Sequence, residues 1–265
     1  MKQNAQKQIV IIGCGNVAWH LAKVLISLKS FKVSVYNHRQ NQLLDKFKKE
    51  LKCPVGIGLG KIPGDADYYF ICVSDKAISK VAAKLRIRNP NAILMHTSGS
   101  AELSDLGEGL YAKAVFYPLQ SFSARAEVNW KEIPVLLECT DQNVFQKIKG
   151  LADLISEKVL KVSFSERLKL HLAAVLVNNF TNALYVSAAD LLKNKKSGFS
   201  LELLHPMINQ TTEKIFTMDP RAAQTGPAKR GDKTVMEKHL DLINDNSDLK
   251  KLYKQLSKLI KKQQR

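Results

Sequence analysis

The stretch QIVIIGCGNVAWHLAKVL constrains the fold of this chain more than any other. Residues 9–12 form a short continuous apolar run, which is typical of a strand covered on both faces. Gly13 permits a tight turn, Gly15 lets the backbone approach a ligand closely, and the small Ala18 lets the next helix pack on the strand. The stretch therefore predicts a strand, a glycine turn and a helix whose amino end faces a phosphate.

This G-x-G-x-x-A pattern is a form of the dinucleotide-binding fingerprint, although a glycine-rich turn also occurs in unrelated α/β proteins. Four residues are predicted to contact the pyrophosphate: Gly13, Gly15, Asn16 and Val17. A second β-branched strand, KVSVYN, ends about twenty residues later, where such folds read the ribose. That position holds Asn37, followed by His38 and Arg39. Because a carboxylate would repel a 2′-phosphate, whereas an amide and an arginine can bind one, Asn37 and Arg39 predict NADP rather than NAD.

The charge balance favours anionic partners. The 265-residue chain, long enough for one large domain or two ordinary ones, carries a formal net charge of +17. This charge suits a phosphorylated cofactor, nucleic acid or an acidic membrane surface. Most of the excess is lysine scattered along the chain, whereas proteins that read bases use arginine with interleaved aromatic residues. We therefore expect no specific nucleic-acid partner.

The four cysteines, Cys14, Cys53, Cys72 and Cys139, form no CxxC pair and no His/Cys cluster with metal-ligand spacing. This pattern argues against a disulfide scaffold and against a bound metal. The opening residues MKQNAQKQ lack the apolar core of a secretory signal, and no run of about 18 uninterrupted apolar residues is available to cross a membrane. We expect a cytoplasmic protein without a membrane partner.

Strand patterns recur in CPVGIGL, ADYYFICVS, NAILMHTSG, KAVFYPLQSF, IPVLLEC and KVLKVS. Helical patterns, NQLLDKFKKEL and KAISKVAAKL, alternate with the early strands, and this alternation predicts a parallel sheet with right-handed crossovers. No strand pattern is evident after residue 164. The predicted class is therefore α/β: a Rossmann-type, mostly parallel sheet domain over residues 1–162, followed by an all-α domain over residues 163–265.

Polar residues stand where three of the predicted strands end, in VSD, HTSGS and YPLQS. Ligands of such sheets bind beyond the carboxyl ends of the strands. We predict contacts to the cofactor from Val73, Ser74, Thr97 and Ser98, and to substrate from Gln120. Ordinary turn chemistry is the alternative for each of these residues. The histidine that opens HTSGS can equally be a structural residue.

The pattern SFSE is a capping box, and it predicts a helix from there to about Lys193. Its sequence, LKLHLAAVLVNNFTNALYVSAADLL, is apolar nearly all round and predicts a buried helix. The polar exceptions, His171, Asn178 or Asn179, and Asn182, are spaced to lie roughly on one side. Since buried polar groups need partners, this side either bonds a neighbouring helix or faces the site. In the second case His171 and Asn179 are the catalytic candidates, His171 for proton transfer, and Asn182 contacts substrate.

Further helical patterns are predicted at about 200–217, 231–245 and 247–262. The last, LKKLYKQLSKLIKK, has one apolar face and one lysine face. It is predicted to dock on its own domain, with a membrane or partner helix as the alternative.

The loop TGPAKRGDKT lies between two of these helical patterns. A plain helix connector is one interpretation, and its RGD tripeptide is read as coincidental in a cytosolic chain. The preferred interpretation is a substrate-facing loop with contacts from Thr225, Lys229 and Arg230, in which Asp232 or Thr234 caps the next helix.

A family resemblance rests on several of these features together. Gly13-x-Gly15-x-x-Ala18, the Asn37/Arg39 pair and the long helix after the sheet resemble NADP oxidoreductases. That group includes pyrroline-5-carboxylate reductase, ketopantoate reductase, 6-phosphogluconate dehydrogenase-like enzymes and the deazaflavin-dependent NADP reductase. More narrowly, HTSGS, YPLQSF, HLAAVLVNNF and TGPAKRGDKT with its following HL look like a Rossmann-like family whose C-terminal helical domain has no known function. The resemblance covers nearly the whole chain.

The wider group implies a two-domain subunit that is usually a homodimer through the helical domain, with the active site in the interdomain cleft. Some members carry a catalytic lysine on the long helix, followed a turn later by asparagine. In this chain His171 stands in about the place of that lysine, and Lys169 lies two residues before it. Because the match to the lysine motif is not exact, the resemblance does not identify the general acid. Thr225-Gly226-Pro227 and the Thr234 region look like a distant counterpart of the late substrate loop of pyrroline-5-carboxylate reductases. The sequence of the loop differs, so the substrate of those enzymes is not implied.

The predicted function is an NADP(H)-dependent oxidoreductase that moves hydride between the nicotinamide and a C=O or C=N group of a small anionic metabolite. Two alternatives come from other classes. One is a protein that senses NADP, or acts as a scaffold, without turnover. The other is a protein that binds nucleic acid or a membrane surface through its charge.

Overall fold

The computed structural model of the chain describes residues 6–109, 111–123, 126–193 and 198–264. The chain divides into two compact units, Met1–Asn178 and Asn179–Arg265. Every strand of the described residues lies in the first unit, and the second unit is helical. The predicted α/β class, a Rossmann-type sheet followed by a helical region, is confirmed.

One eight-stranded sheet organises the first unit. Its strands are β1 (Lys7–Ile12), β2 (Phe31–Asn37), β3 (Val55–Ile57), β4 (Tyr68–Ile71), β5 (Ile93–His96), β6 (Ala112–Pro118), β7 (Val135–Glu138) and β8 (Val159–Lys161). They are ordered 3-2-1-4-5-6-7-8, and all neighbours are parallel except β6 and β7. The carboxyl ends of β1 to β6 therefore share one edge, and the strand order reverses between β1 and β4. Ligands of open α/β sheets bind at such a reversal.

Both faces of this sheet are covered, which explains the unbroken apolar run in β1. The helices of the first unit are α1 (Asn16–Ser27), α2 (Gln42–Glu50), α3 (Asp75–Ala82), α4 (Gln142–Asp153) and α5 (Phe164–Ala174). Ile9 and Ile11 pack in one core cluster with α1, α2 and α4. Val10 and Ile12 point to the other face and pack with α3. Because side chains alternate along a strand, a strand buried on both sides has no polar positions.

The second unit contains α6 (Thr181–Leu192), α7 (His205–Thr217), α8 (Pro220–Ala223), α9 (Pro227–Arg230), α10 (Lys233–Leu242) and α11 (Ser247–Gln263). Asp232, rather than the alternative Thr234, caps α10 by accepting a hydrogen bond from the Val235 amide at 3.1 Å. The helix α11 packs against α9, and the hydroxyl of Tyr253 lies 2.9 Å from Nδ1 of His239 on α10. The terminal helix thus docks within its own unit, which matches the preferred interpretation.

The long helix predicted after the sheet is present, and its capping box of Ser163 and Glu166 is confirmed. The prediction that it is buried is wrong for the single chain. Arg167 is the only buried residue of α5, and the described residues of α6 include none. Val177 and Phe180 are 70% and 56% exposed. The apolar side chains on all sides of this helix, from which burial was predicted, are instead exposed to solvent in the single chain.

The predicted common side for the polar residues of this helix assumes an unbroken α-helix. Residues Val175–Phe180, between α5 and α6, form a π-helical segment that contains Asn178 and Asn179. A π turn contains more residues than an α turn, so α-helical spacing does not carry from His171 to Asn182. All three asparagines are exposed. π segments occur frequently at functional sites.

By length and composition the helix Phe164–Leu192 could also cross a membrane. A single such helix is weak evidence, because the core helix of a water-soluble protein passes the same test. The Rossmann-type sheet that precedes it is a water-soluble architecture.

Candidate functional site

The glycine turn after β1 has the geometry that the fingerprint requires. Gly13 has φ of +111°, and a Cβ atom built on it would lie 2.2 Å from the Cys72 carbonyl oxygen. Its amide donates to the Tyr36 carbonyl at 2.8 Å. Gly15 differs, because it is exposed and nothing lies within 4 Å of an added Cβ. Gly13 therefore makes the turn, and Gly15 leaves open space over the backbone.

The amino end of α1 is suited to an anion. Gly15 is its N-cap residue, no side chain caps the helix, and its first turn holds no acidic residue. By contrast α2, α4 and α5 are capped by Asn41, Asp141 and Ser163. The first N–H groups of α1 thus remain available, and the helix dipole favours negative charge there. The residues present fit the pyrophosphate of a dinucleotide, and Asn16 and Val17 lie in the first turn of α1.

The end of β2 is built around Asn37. Its side chain is buried, and its amide nitrogen donates to the Arg39 carbonyl oxygen at 2.8 Å. Asn37 therefore fixes the backbone that carries Arg39, which is exposed and forms no salt bridge among the described residues. Asn41, which caps α2, also contacts the sulfur of Cys14 in the glycine turn, with its Nδ2 3.3 Å from Sγ. The loop with Arg39 and the glycine turn are thereby connected.

A small groove lies beside the glycine turn, lined by Cys14, Gly15, Asn16, Trp19, Leu43, Lys46 and Phe47. Lys46, on α2, is its only cation among the described residues. Lys46 could not be recognised from the sequence, because a lysine on the polar face of an amphipathic helix is ordinarily just exposed to solvent.

At the ends of β4 and β5 the predicted cofactor residues divide into two kinds. Ser74 is exposed, precedes α3 as its N-cap and makes no side-chain capping bond, and Val73 beside it is half-buried. Thr97 and Ser98 are 9% and 8% exposed. The Ser98 hydroxyl oxygen accepts from the Ser100 and Ala101 amides at 3.1 and 2.9 Å, so it stabilises its own turn.

His96, the last residue of β5, is a structural residue. It is fully buried, its Nδ1 accepts from the Ser98 amide at 3.2 Å, and its Nε2 lies 3.2 Å from the Glu102 carbonyl oxygen. A backbone N–H can bond only an unprotonated Nδ1, so Nε2 carries the proton and donates. Burial, reinforced by the charge of Arg167, lowers the pKa of His96 to about 4. A neutral histidine with both nitrogens bonded has no proton to transfer near neutral pH.

Arg167 is the side chain that organises this loop. It projects from α5, is fully buried, and forms an ion pair with Glu138 at 2.8 Å. Its Nη1 donates to the Ser98 carbonyl at 3.0 Å and its Nη2 to the Ala101 carbonyl at 2.8 Å. On the other side of the loop, Ser100 donates to the carboxylate of Asp75. The turn of HTSGS is therefore held from both sides.

His171 lies one helical turn beyond Arg167 and meets Tyr117 near the end of β6. Nδ1 of His171 is 3.0 Å from the Tyr117 hydroxyl, and the two rings meet edge to face at 5.9 Å. A Cβ atom on Gly99 would lie 2.5 Å from Nδ1 of His171 and 2.9 Å from Cζ of Tyr117. Gly99 is thus required by close approach. Burial raises the pKa of Tyr117, which keeps the phenol protonated at neutral pH.

The segment after β6 is attached to α1. Asn16 donates from Nδ2 to the Phe122 carbonyl at 2.9 Å, and Nε2 of His20 lies 2.8 Å from the Ser123 carbonyl. The rings of His20 and Phe122 stack at 5.1 Å. Gln120 is exposed, and its Oε1 accepts from the Ser121 amide at 2.8 Å. These contacts keep YPLQSF at the sheet edge that carries the glycine turn.

The other predicted site residues belong to the second unit. Asn179 lies in the π-helical segment and Asn182 in the first turn of α6. Thr225 precedes α9, which contains Lys229 and Arg230 and is bounded by Gly226 and Gly231 at φ of +104° and +73°. All five predicted residues, Asn179, Asn182, Thr225, Lys229 and Arg230, are exposed.

The structure thus brings Gly13, Gly15, Asn16, Ser74 and His171 to one edge of the sheet. Besides Lys46, sequence reasoning missed two residues there, Tyr117 and Arg167. A signal for Arg167 was available, since a charged residue one helical turn before His171 in an apolar helix needs a buried partner.

Comparisons with known proteins agree with this geometry. Residues 8–97 match the family described as NADP oxidoreductase, coenzyme F420-dependent, and residues 133–260 match the domain of unknown function DUF2520. No curated protein matches the chain.

Solved structures match over nearly the whole chain. A Bacteroides fragilis protein with the provisional name NADP oxidoreductase BF3122 is 32% identical, with a TM-score of 0.88, over 97% of this chain and 98% of that one. Protein TM1727 from Thermotoga maritima is 24% identical, with a TM-score of 0.67 over 97% and 98% of the two chains. A pyrroline-5-carboxylate reductase from Coxiella burnetii, 16% identical with a TM-score of 0.55 over 95% and 98%, shares the fold.

Family and fold together support an NAD(P)-dependent oxidoreductase. With a relative above 30% identity over almost its full length, the chain belongs to the family in which an NADP oxidoreductase Rossmann domain is followed by the DUF2520 domain.

Proposed function

We propose that the chain is an NADP(H)-dependent oxidoreductase that reduces or forms a C=O or C=N group on a small anionic metabolite. The observation that carries this proposal is one sheet edge with two features. It holds an open glycine turn at the uncapped end of α1, and a histidine–tyrosine pair near the end of β6. The dinucleotide supplies hydride chemistry when bound, and the chain supplies position, charge and a proton.

The preference for a 2′-phosphate rests on the loop after β2. Asn37 is not free to read the ribose with its amide nitrogen, because that atom holds the Arg39 carbonyl. The exposed, unpaired guanidinium of Arg39 is then the phosphate-binding group. Lys46 in the neighbouring groove adds a second positive charge. No carboxylate is present at the end of β2 to favour an unphosphorylated ribose.

The anionic character of the substrate is supported by charge. The net charge is +17, and Lys229 and Arg230 are exposed in the second unit between two glycines with positive φ. The proton is proposed to come from His171, since histidine is the side chain that most often transfers protons in enzymes. Asn179 and Asn182, exposed amides of the long helix, and Gln120 and Thr225 are proposed substrate contacts.

A sensor or scaffold that binds NADP without turnover is the alternative. It is favoured by one observation: the long helix carries His171 where some related enzymes carry a catalytic lysine. Both functions share the cofactor site, so they differ only in turnover.

The test titrates NADPH and NADH calorimetrically into the full chain and into Arg39→Ala. We expect NADPH to bind more tightly, and Arg39→Ala to lose roughly tenfold in NADPH affinity, about one charge-assisted hydrogen bond, with little change for NADH. Lys32→Ala, at an exposed residue of β2 away from the strand end, is the control. Equal affinities of the wild-type chain for NADPH and NADH would refute the phosphate-reading role.

A second experiment measures NADPH consumption with a panel of small keto and imino acids. Consumption with any of them supports the enzyme, and its absence across the panel supports the sensor.

We also propose that the chain forms a homodimer through its helical region. Many apolar side chains there are exposed in the single chain: Val177 70%, Phe180 56%, Leu203 65%, Met207 66%, Phe216 83% and Leu242 80%. Apolar surface on this scale marks an association site. A second copy is the proposed occupant because the family resemblance implies a homodimer formed through the helical domain, where these side chains lie.

Sedimentation equilibrium should therefore give twice the chain mass of 29.7 kDa. Phe180→Glu places a charge in the proposed interface and should shift the protein toward the single mass. Leu43→Glu, at a 44% exposed apolar residue of the first unit, is the matched control and should leave the mass doubled. A wild-type protein at the single mass would contradict the dimer.

A further inference from the structure

The contact between Tyr117 and His171 has features that ordinary packing does not require. Tyr117 is 9% exposed, whereas His171 is half-buried. The phenol thus lies behind the imidazole, which is the more open of the two. Gly99 provides the space for both rings, since any Cβ atom there would overlap each of them. Tyr117 of β6 and His171 of α5 therefore meet over Gly99, where the backbone carries no side chain.

The hydrogen bond between Tyr117 and His171 decides which nitrogen of the neutral imidazole carries the proton. Tyr117 stays protonated because burial raises its pKa, so it has one proton to donate. Nδ1 of His171 lies 3.0 Å from the hydroxyl. If this phenol donates to Nδ1, both buried polar groups are satisfied and neutral His171 carries its proton on Nε2. When His171 is protonated, Nδ1–H donates to the phenol oxygen instead.

We propose that Tyr117 is the positioning residue of His171, holding Nδ1 inward in both protonation states so that Nε2 is the nitrogen that meets the ligand. This inference rests on the proposed function of His171 in proton transfer. An imidazole held by a third group on its far nitrogen keeps one orientation, and in its neutral form one tautomer. The neutral imidazole then presents an N–H donor, and the imidazolium presents an acidic proton, at the same point.

The loop behind the pair supports this role. Arg167 holds the Ser98 and Ala101 carbonyls, and this fixes Gly99 between them. Arg167 and His171 leave the same helix one turn apart, so the position of the imidazole follows from that of a buried guanidinium. The Tyr117 hydroxyl completes the constraint from β6.

The test is nitrogen-detected NMR of the imidazoles in the full-length, ligand-free chain, with the His171 signal assigned by His171→Gln. In wild type we expect one dominant neutral tautomer with the proton on Nε2. In Tyr117→Phe we expect averaging between tautomers, seen as convergence of the Nδ1 and Nε2 shifts. Gly99→Ala should disturb the same signals by pushing the rings apart. Identical His171 shifts in wild type and Tyr117→Phe would overturn the proposal.

Tyr69→Phe is the matched control. It removes another tyrosine hydroxyl, which donates to the Pro63 carbonyl at 2.7 Å and accepts from the Ala66 amide at 3.0 Å. It should lower stability but leave the His171 signals unchanged. NADPH titration of the same samples keeps the two proposals apart, because Tyr117→Phe should still bind the cofactor. Absence of NADPH binding in wild type would refute the proposed function, whereas unchanged imidazole shifts would refute the positioning role alone.

Discussion

Replacing Arg167 with methionine is expected to lower the free energy of unfolding by roughly 3–5 kcal/mol. The change removes one member of a buried ion pair and leaves Glu138, whose side chain is only 15% exposed, without its partner. It also leaves the Ser98 and Ala101 carbonyls without their donors. An uncompensated buried charge costs far more than the net value of the pair it came from. Urea denaturation followed by circular dichroism measures the difference.

Two controls separate this effect from a general loss of charge. Lys149→Met breaks the exposed pair with Asp153, whose side chains are 40% and 47% exposed, and should cost no more than about 1 kcal/mol. The double variant Arg167→Met with Glu138→Leu removes the stranded carboxylate and should recover part of the loss. Equal costs for Arg167→Met and Lys149→Met would show that the buried pair is not the organising contact.

Substitution of the two glycines in the turn should separate folding from cofactor binding. Gly13→Ala is expected to lower the free energy of unfolding by roughly 2–4 kcal/mol, because a Cβ atom at positive φ would overlap the Cys72 carbonyl. Gly15→Ala should instead change it by no more than about 1 kcal/mol, since its φ of −76° suits alanine and its surroundings are open, although alanine is a poorer N-cap residue than glycine. Yet Gly15→Ala should weaken NADPH binding by roughly tenfold or more, as the methyl group would stand where the pyrophosphate approaches.

Thermal unfolding and calorimetric NADPH titration of the same samples give both quantities. Gly150→Ala serves as the control, because this glycine lies on α4 with nothing within 4 Å of an added Cβ. It should stabilise the chain modestly and leave the affinity for NADPH unchanged. A Gly15→Ala protein that binds NADPH as tightly as wild type would remove the glycine turn from the cofactor site.

The parts of the fold that depend on local pattern were predictable. Residues 9–12 identify a doubly covered strand without any tertiary information, because every position is apolar. The capping box at Ser163 and the cap at Asp232 were equally predictable, since both depend on residues within one turn. Such features need only the preferences of neighbouring residues.

What could not be predicted depends on distant contacts. Arg167 and Glu138 are 29 positions apart, and nothing local shows that they meet. Tyr117 belongs to the strand-end segment YPLQS, but no role was predicted for it, because its hydroxyl acquires a partner only when α5 brings His171 beside it. The exposure of the long helix was missed for a related reason. Apolar composition predicts that a surface will be covered but does not say whether the same chain covers it.

Arg167 and His171 lie one turn apart on α5, and this arrangement has a consequence for ligand recognition. The imidazole is placed by a buried guanidinium, a glycine and a tyrosine, all contributed by the chain before any ligand arrives. Such a site is preorganised, so association does not have to offset the entropy of ordering these side chains. On the proposed role of His171, selectivity at this end of the site depends on rigid geometry rather than on adaptation. A metabolite whose accepting atom misses Nε2 by about 1 Å would lose much of the benefit of that placement.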